Sequence, residues 1–309
     1  MNEIFYNVLP IFVIALLGSV IRRKWLTSDE FWRSLEKLSF YILYPTVLFE
    51  HSSKIDLSSS NFFNLIIGLI VANLAICLGL VIYQYRYNFD KVQFTTVFQG
   101  ATRYNSYIFF AVGAALFGDD GLTILASISP YLLILTNITS ITVFCAYLPK
   151  NDSLSVSKAI ILLVKSITIN PFILASLLGF MCSYLKIELN NGMFNTVKTL
   201  SDSAFAIGML IVGASIKIKV SPLYLNQVMY TSLVKLVILP ITTYIILTMM
   251  SVTGLEKSVG ILISCLPCAS SSYILSRQLG GDPDTMSSTI TFSTIFSILS
   301  ISLMVCILI

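Results

Sequence analysis

Charge is what this chain has least of. Acidic and basic side chains make up 11% of its 309 residues, against about one quarter in a soluble domain. With 56% of residues hydrophobic and a mean hydropathy of +0.87, it cannot cover a water-facing surface. That excludes a soluble enzyme or binding module and implies an all-α polytopic membrane protein. The net charge of +4 then bears on topology, through the cytoplasmic excess of Lys and Arg, and not on nucleic acid. Histidine occurs once, as His51 at the outer end of the second apolar run, which reads as an interface residue and not a proton relay. The six cysteines all lie in apolar stretches and read as small buried hydrophobes, not a disulfide framework. Cys265-Leu266-Pro267-Cys268 has CxxC spacing but no second Cys or His pair nearby, so no metal or redox chemistry is expected there. HExxH, GxSxG and paired intramembrane aspartates are missing, which argues against an enzyme. No soluble output domain speaks for a receptor or signalling protein, and no organic cofactor or metal is implied. A cleavable signal pattern is lacking too: Arg22-Arg23-Lys24 follows the first apolar run instead of preceding it, so that run is expected to be a retained span.

What is there is a series of apolar runs. A spanning helix needs about 20 of them in a row, and ten candidates occur: 4–21, 35–50, 62–84, 92–116, 122–148, 158–184, 194–216, 225–250, 256–279 and 284–309. Loops after odd-numbered spans, with their flanks, hold Arg22, Arg23, Lys24, Arg33, Lys37, Arg86, Lys91, Lys150, Lys158, Lys217, Lys219 and Arg277. The other side holds Lys54, Lys186, Lys198 and Lys257. Cations concentrate in the cytoplasm, so both termini are expected outside, and the short loops favour a bacterial inner membrane.

The second half repeats the first, weakly. PIFVIALLG (Pro10 to Gly18) recurs as PFILASLLG (Pro171 to Gly179), Leu38-Ser39 as Leu200-Ser201, and Gly118-Asp119 as Gly281-Asp282, at offsets of 161, 162 and 163. Two units follow, 1–150 and 151–309. Five spans in each make the second copy inverted, the usual build of secondary transporters with a site at the midplane. Gly118-Asp119-Asp120-Gly121 reads as a tight external turn.

Polar residues mark where chemistry could sit. Span 4 carries Gln99, Gly100, Thr102, Arg103, Tyr104, Asn105 and Ser106 in its middle. A charge at the bilayer centre costs at least about 2.5 kcal/mol, so Arg103 should face a cavity or a partner. Span 9 carries Pro267, Cys268, Ala269, Ser270, Ser271 and Ser272, and proline there removes a backbone donor and frees carbonyls. These are the fourth span of each half. Interrupted helices at matching positions point to a transport site, with half-helix N-termini offered to an anion. The plainer reading of Asn105, Ser106 and Ser270 to Ser272 is helix-to-helix hydrogen bonding, and that of Arg103 a structural ion pair or a snorkelling role. Asp202, with Lys235 and Gln99, is a candidate for coupling: desolvation would bring its carboxyl into the working range, while a fixed salt bridge to Lys235 or Lys198 would make it structural. Lys165 and Lys198 read as snorkelling near span ends.

Taken together, LPIFVIALLGSVIRRKWL, LSFYILYPTVLF, RYNSYIFFAVGAALFGDDG, NPFILASLLGF, AIGMLIVGASI and LPCASSSYILSRQLGGDPDTMSSTITFSTIFS resemble the auxin efflux carrier family in its compact bacterial, malate- or malonate-permease-like form, related to the bile-acid symporter-like transporters. The resemblance implies ten spans in an inverted five-plus-five repeat. It implies a scaffold part from spans 1, 2, 6 and 7 and a transport part from spans 3–5 and 8–10, with spans 4 and 9 broken and crossed. Elevator-like alternating access for a small organic anion follows, with Asn105 and Pro267 at the crossovers and backbone N–H groups after Pro267 meeting a carboxylate. A proton or sodium is the expected coupling ion, and a homodimer is an admissible assembly. Sodium would need oxygen ligands near the crossing; Ser, Asn and carbonyls are present, but no carboxylate precedes Pro267 in span 9. The chain departs from the family in span 4. The usual Asn-x-Gly-x-x-Gly-x-Pro reads Asn105-Ser-Tyr-Ile-Phe-Phe-Ala-Val112, which implies a milder break or a different geometry, and Asp202 stands where the family has an uncharged residue.

Overall fold

A computed structural model describes residues 2–55, 60–148, 156–187, 189–216 and 225–308. Lys150, Lys217 and Lys219 lie outside the described residues, as do the chain segments between spans 5 and 6 and between spans 7 and 8 that hold them. The elements are α1 (Asn2–Lys24), α2 (Asp29–Leu38), α3 (Tyr44–Ser52), α4 (Ser60–Tyr87), α5 (Lys91–Thr102), α6 (Ser106–Tyr147), α7 (Val156–Thr168), α8 (Pro171–Leu185), α9 (Asn191–Ser215), α10 (Leu225–Leu233), α11 (Leu239–Met249), α12 (Gly254–Ser264), α13 (Ser272–Leu279) and α14 (Pro283–Leu308), with no strand among the described residues. One π turn, Ser39–Leu43, joins α2 to α3, and another, Val234–Ile238, joins α10 to α11. Each runs into a helix with proline in its first two positions. Proline has no N–H and its ring crowds the turn before it, so a widened turn is the local solution.

Among the described residues, six helical segments are long and apolar enough to cross a membrane, or seven if the bent pair Ile160–Thr168 and Pro171–Leu185 counts as one. Ten runs were expected, and the difference has physical causes. The α2–α3 rod carries Asp29, Glu30, Arg33, Glu36 and Lys37 in its first turns. Lys91–Tyr147 qualifies as one segment, although the chain leaves the helix at Arg103 to Asn105 and kinks at Gly118, where φ is +59°. Residues 256–279 divide into an 11-residue and an 8-residue helix. Span 6, read as one run, bends by 42° because Asn170 starts a new helix: its Oδ1 accepts the Phe172 N–H at 2.9 Å and Pro171 takes the first helical position.

Apolar side chains dominate both inside and out. Tyr44, Leu48, Leu65, Phe109, Phe110 and Leu125 are fully buried, while Val13, Leu16, Leu78, Ile161, Leu177 and Leu299 are more than half exposed. Outward Leu and Ile in such numbers suit a lipid surround. Helix association in lipid relies on close packing of small residues, and α1 on α9 is the tightest case. A Cβ on Gly213 would overlap the Ala15 carbonyl, and one on Gly18 the Leu210 backbone. The other main pairs are α3 on α8, α4 on α11, α3 on α9 and α6, and α6 on α12 and α5. At one end of the α1–α9 pair, Arg22 donates to the Ala214 carbonyl at 3.0 Å and pairs with Asp29 at 2.6 Å. This closes the C-terminal end of α9 with a cation.

Candidate functional site

Two helix breaks meet. Asp90 caps α5 by accepting the Gln93 N–H at 2.9 Å, and the helix runs to Thr102. Arg103 (φ −85°, ψ 152°) and Asn105 (φ −82°, ψ 107°) are extended. Asn105 then starts α6, its Oδ1 accepting the N–H groups of Tyr107 and Ile108 at 3.0 and 3.3 Å. The break is therefore complete, not milder. It uses backbone angles open to any L-residue, so the missing glycines and proline are not needed. On the other side, α12 ends at Ser264, Pro267 sits in the gap, and α13 begins at Ser272.

The breaks are stitched together. The Asn105 N–H donates to the Pro267 carbonyl at 2.9 Å, and Asn105 Nδ2 donates to Ser270 Oγ at 3.1 Å. Arg103 donates through Nη1 to Asn137 Oδ1 at 2.7 Å and through Nη2 to Ser271 Oγ at 3.1 Å. Its Nε is buried without a partner, and Arg103 takes part in no ion pair among the described residues. The sequence alternative of a structural ion pair is thus not what forms. Gln99 Nε2 donates to Ser276 Oγ at 2.6 Å, tying α5 to α13, while its Oε1 is unpartnered.

The eight residues proposed for substrate contact do come together, but they divide by exposure. Arg103, Ser106 and Ser270 are partly exposed and Ser271 is exposed, whereas Asn105, Pro267, Cys268 and Ala269 are buried. The Cys268 N–H is taken by Ser293 Oγ at 3.2 Å. The N–H groups of Ser106, Ala269, Ser270 and Ser271 donate to nothing among the described residues. With the positive ends of α6 and α13 beside them and the Arg103 guanidinium between, this rim can hold an anion.

The coupling candidates lie elsewhere. The Asp202 side chain is 63% exposed, with Lys198 Nζ 3.9 Å away. The burial that the coupling role requires is not there, and the alternative partner that forms is Lys198, not Lys235. Lys235 is 1% exposed, behind the crossing. His51, expected at the membrane interface, is enclosed at 3% exposure because α6 covers it: Thr123 Oγ1 lies 3.5 Å from its Nδ1. Beside it is the buried carboxylate that sequence reasoning missed. Glu50 receives Lys54 Nζ at 2.9 Å and lies 4.0 Å from His51 Nε2. A carboxylate closing the apolar run YILYPTVLFE, with a lysine four residues on, was the available signal. Asn137 and Ser293, which hold Arg103 and the Cys268 N–H, carried no signal of their own.

A family model described as membrane transport protein matches residues 3–305. None of the curated proteins compared with the chain matches it.

Proposed function

The chain belongs to this family of membrane transport proteins, the auxin efflux carriers, and from that premise we propose that it is a secondary carrier for a small organic anion, a carboxylate, held at the crossing of the two breaks. One observation carries the proposal: Arg103 stands between two half-helix N-termini with a buried, unpartnered Nε and no ion pair to a carboxylate among the described residues. A cation kept in an apolar surround without its own counter-ion calls for one from outside.

The wider architecture proposed is ten spans in two inverted halves, 1–150 and 151–309, with both termini outside a bacterial inner membrane. The helix pairs support it. Spans 1 and 7 (α1, α9) and spans 2 and 6 (α3, α8) pack as pairs, and each pair becomes the other when the halves are exchanged. The breaks sit at corresponding places, Asn105 and Pro267 being 162 residues apart, and positive-φ glycines end the following helical segments at Gly118 and Gly280. Elevator-like movement of spans 3–5 and 8–10 against spans 1, 2, 6 and 7 would carry the crossing between the two sides. A ligand drives such a cycle only through different affinities in the two states.

The test is a panel of malate, malonate, lactate and succinate on purified protein, read by thermal shift, followed by counterflow in liposomes. A selective upward shift is expected from one acid, with exchange of that acid across the membrane. Arg103→Gln should remove both signals and leave the folded protein recoverable. Exchange at the wild-type rate by that variant would sink the site assignment.

A further inference from the structure

Beside the crossing lies a cavity of about 20 Å³, room for about one water. Its polar lining includes Asn73, Thr102, Thr136, Lys235, Thr243 and Ser264. Two of these are helix ends: Thr102 is the last residue of α5 and Ser264 the last of α12. Both half-helices thus bring their negative, carbonyl-bearing ends to one place. The Thr243 hydroxyl, 1% exposed, has no hydrogen-bond partner. Asn73 donates its Nδ2 to the Thr102 carbonyl at 3.1 Å, and its amide oxygen accepts only the weak Cys77 thiol donor at 3.6 Å.

An oxygen-rich pocket at two converging helix C-termini is a place for a small monovalent cation. Here Lys235, 1% exposed, reaches the same cavity from the π turn between α10 and α11. It has no ion-pair partner and no hydrogen bond among the described residues. We propose that the Lys235 ammonium is a tethered cation: it occupies the position a coupling sodium would need, balances the ends of α5 and α12, and makes the carrier independent of sodium. The proposal rests on the carrier reading for its meaning in transport, yet its test does not use the substrate.

The experiment compares thermal stability of the purified protein in sodium, potassium, lithium and choline chloride at equal ionic strength. Wild type and Lys235→Arg should respond alike to all four. Lys235→Gln, which removes the charge and leaves an oxygen, should gain a saturable upward shift of about 4 °C from one of the small cations over choline. A saturable sodium response by wild type overturns the proposal, and so does a folded Lys235→Gln protein indifferent to every cation. If Lys235→Gln is not recovered folded, Thr243→Asp against Thr243→Asn decides. Beside a lysine ammonium the carboxylate should melt at or above the amide, and melting below it overturns the tethered cation. None of these outcomes depends on a carboxylate ligand, so failure of the organic-anion reading would be seen separately.

Discussion

Single residues at the crossing do two jobs, and substitutions can part them. Asn105 caps α6 through its carbonyl oxygen and reaches Ser270 through its amide nitrogen. Asn105→Ala removes both, with a cap loss of about 1 kcal/mol. Asn105→Asp keeps the capping oxygen but replaces the donor by a negative charge beside the anion rim. The aspartate should melt close to wild type and show no carboxylate exchange; robust exchange would return Asn105 to a purely structural role. Asp282 offers a pH test at the same scale, in the loop ahead of α14. Partial burial opposes its charge, but the Thr285 hydroxyl and N–H, Gln93 Nε2 and the Asp284 N–H all donate to it. Together they hold its carboxyl below the usual aspartate range. A depressed folded-state value means the unfolded chain binds the proton more readily, so this contribution is full at neutral pH and is lost as pH falls below about 4. Asp282→Asn should flatten the acid limb of a stability-against-pH curve measured from pH 3 to 7.

At the scale of elements, the α1–α9 crossing is set by two glycines. A methyl on Gly213 has only the Ala15 backbone to meet, and backbone cannot step aside as a flexible side chain can. Gly213→Ala should cost about 3 kcal/mol, the upper end for overpacking, seen as a lowered melting temperature or loss of monodisperse protein. Gly79, which has open space around its Cβ position, should tolerate alanine without loss. Much at this scale was legible from the chain alone. The apolar runs marked a chain of membrane-spanning helices, and polar residues in span 4 with Pro267 in span 9 located both breaks. What was not legible depended on three-dimensional neighbours. Asp202 looked enclosed because it lies within an expected span, between Ser201 and Ser203, but its face of α9 is open. His51 looked peripheral because it ends a run, yet α6 covers it. The family's glycines suggested what the span 4 break requires, whereas the backbone angles at Arg103 and Asn105 require none.

For the whole molecule, the consequential contact is the one between parts proposed to move. His51 on α3 belongs to the proposed scaffold and Thr123 on α6 to the proposed transport part, and they meet at 3.5 Å. If spans 3–5 slide against spans 1 and 2, this contact must break in every cycle. Cysteines at 51 and 123, on a background without the six native ones, joined by a short bis-maleimide, should stop exchange in the joined fraction. The single mutants treated alike should keep it. Undiminished exchange in fully joined protein would exclude relative movement of these two parts.

The bond from the Asn105 N–H to the Pro267 carbonyl is made by backbone alone. No side-chain replacement at Asn105 deletes its donor except proline, and none at position 267 deletes its acceptor. Descendants of this chain can therefore rewrite Ser106, Ser270 and Ser271, whose side chains face the rim, while inheriting the same clasp. Selectivity is free to drift across a lineage on a frame that mutation scarcely reaches, and cargo is expected to diverge among relatives sooner than architecture.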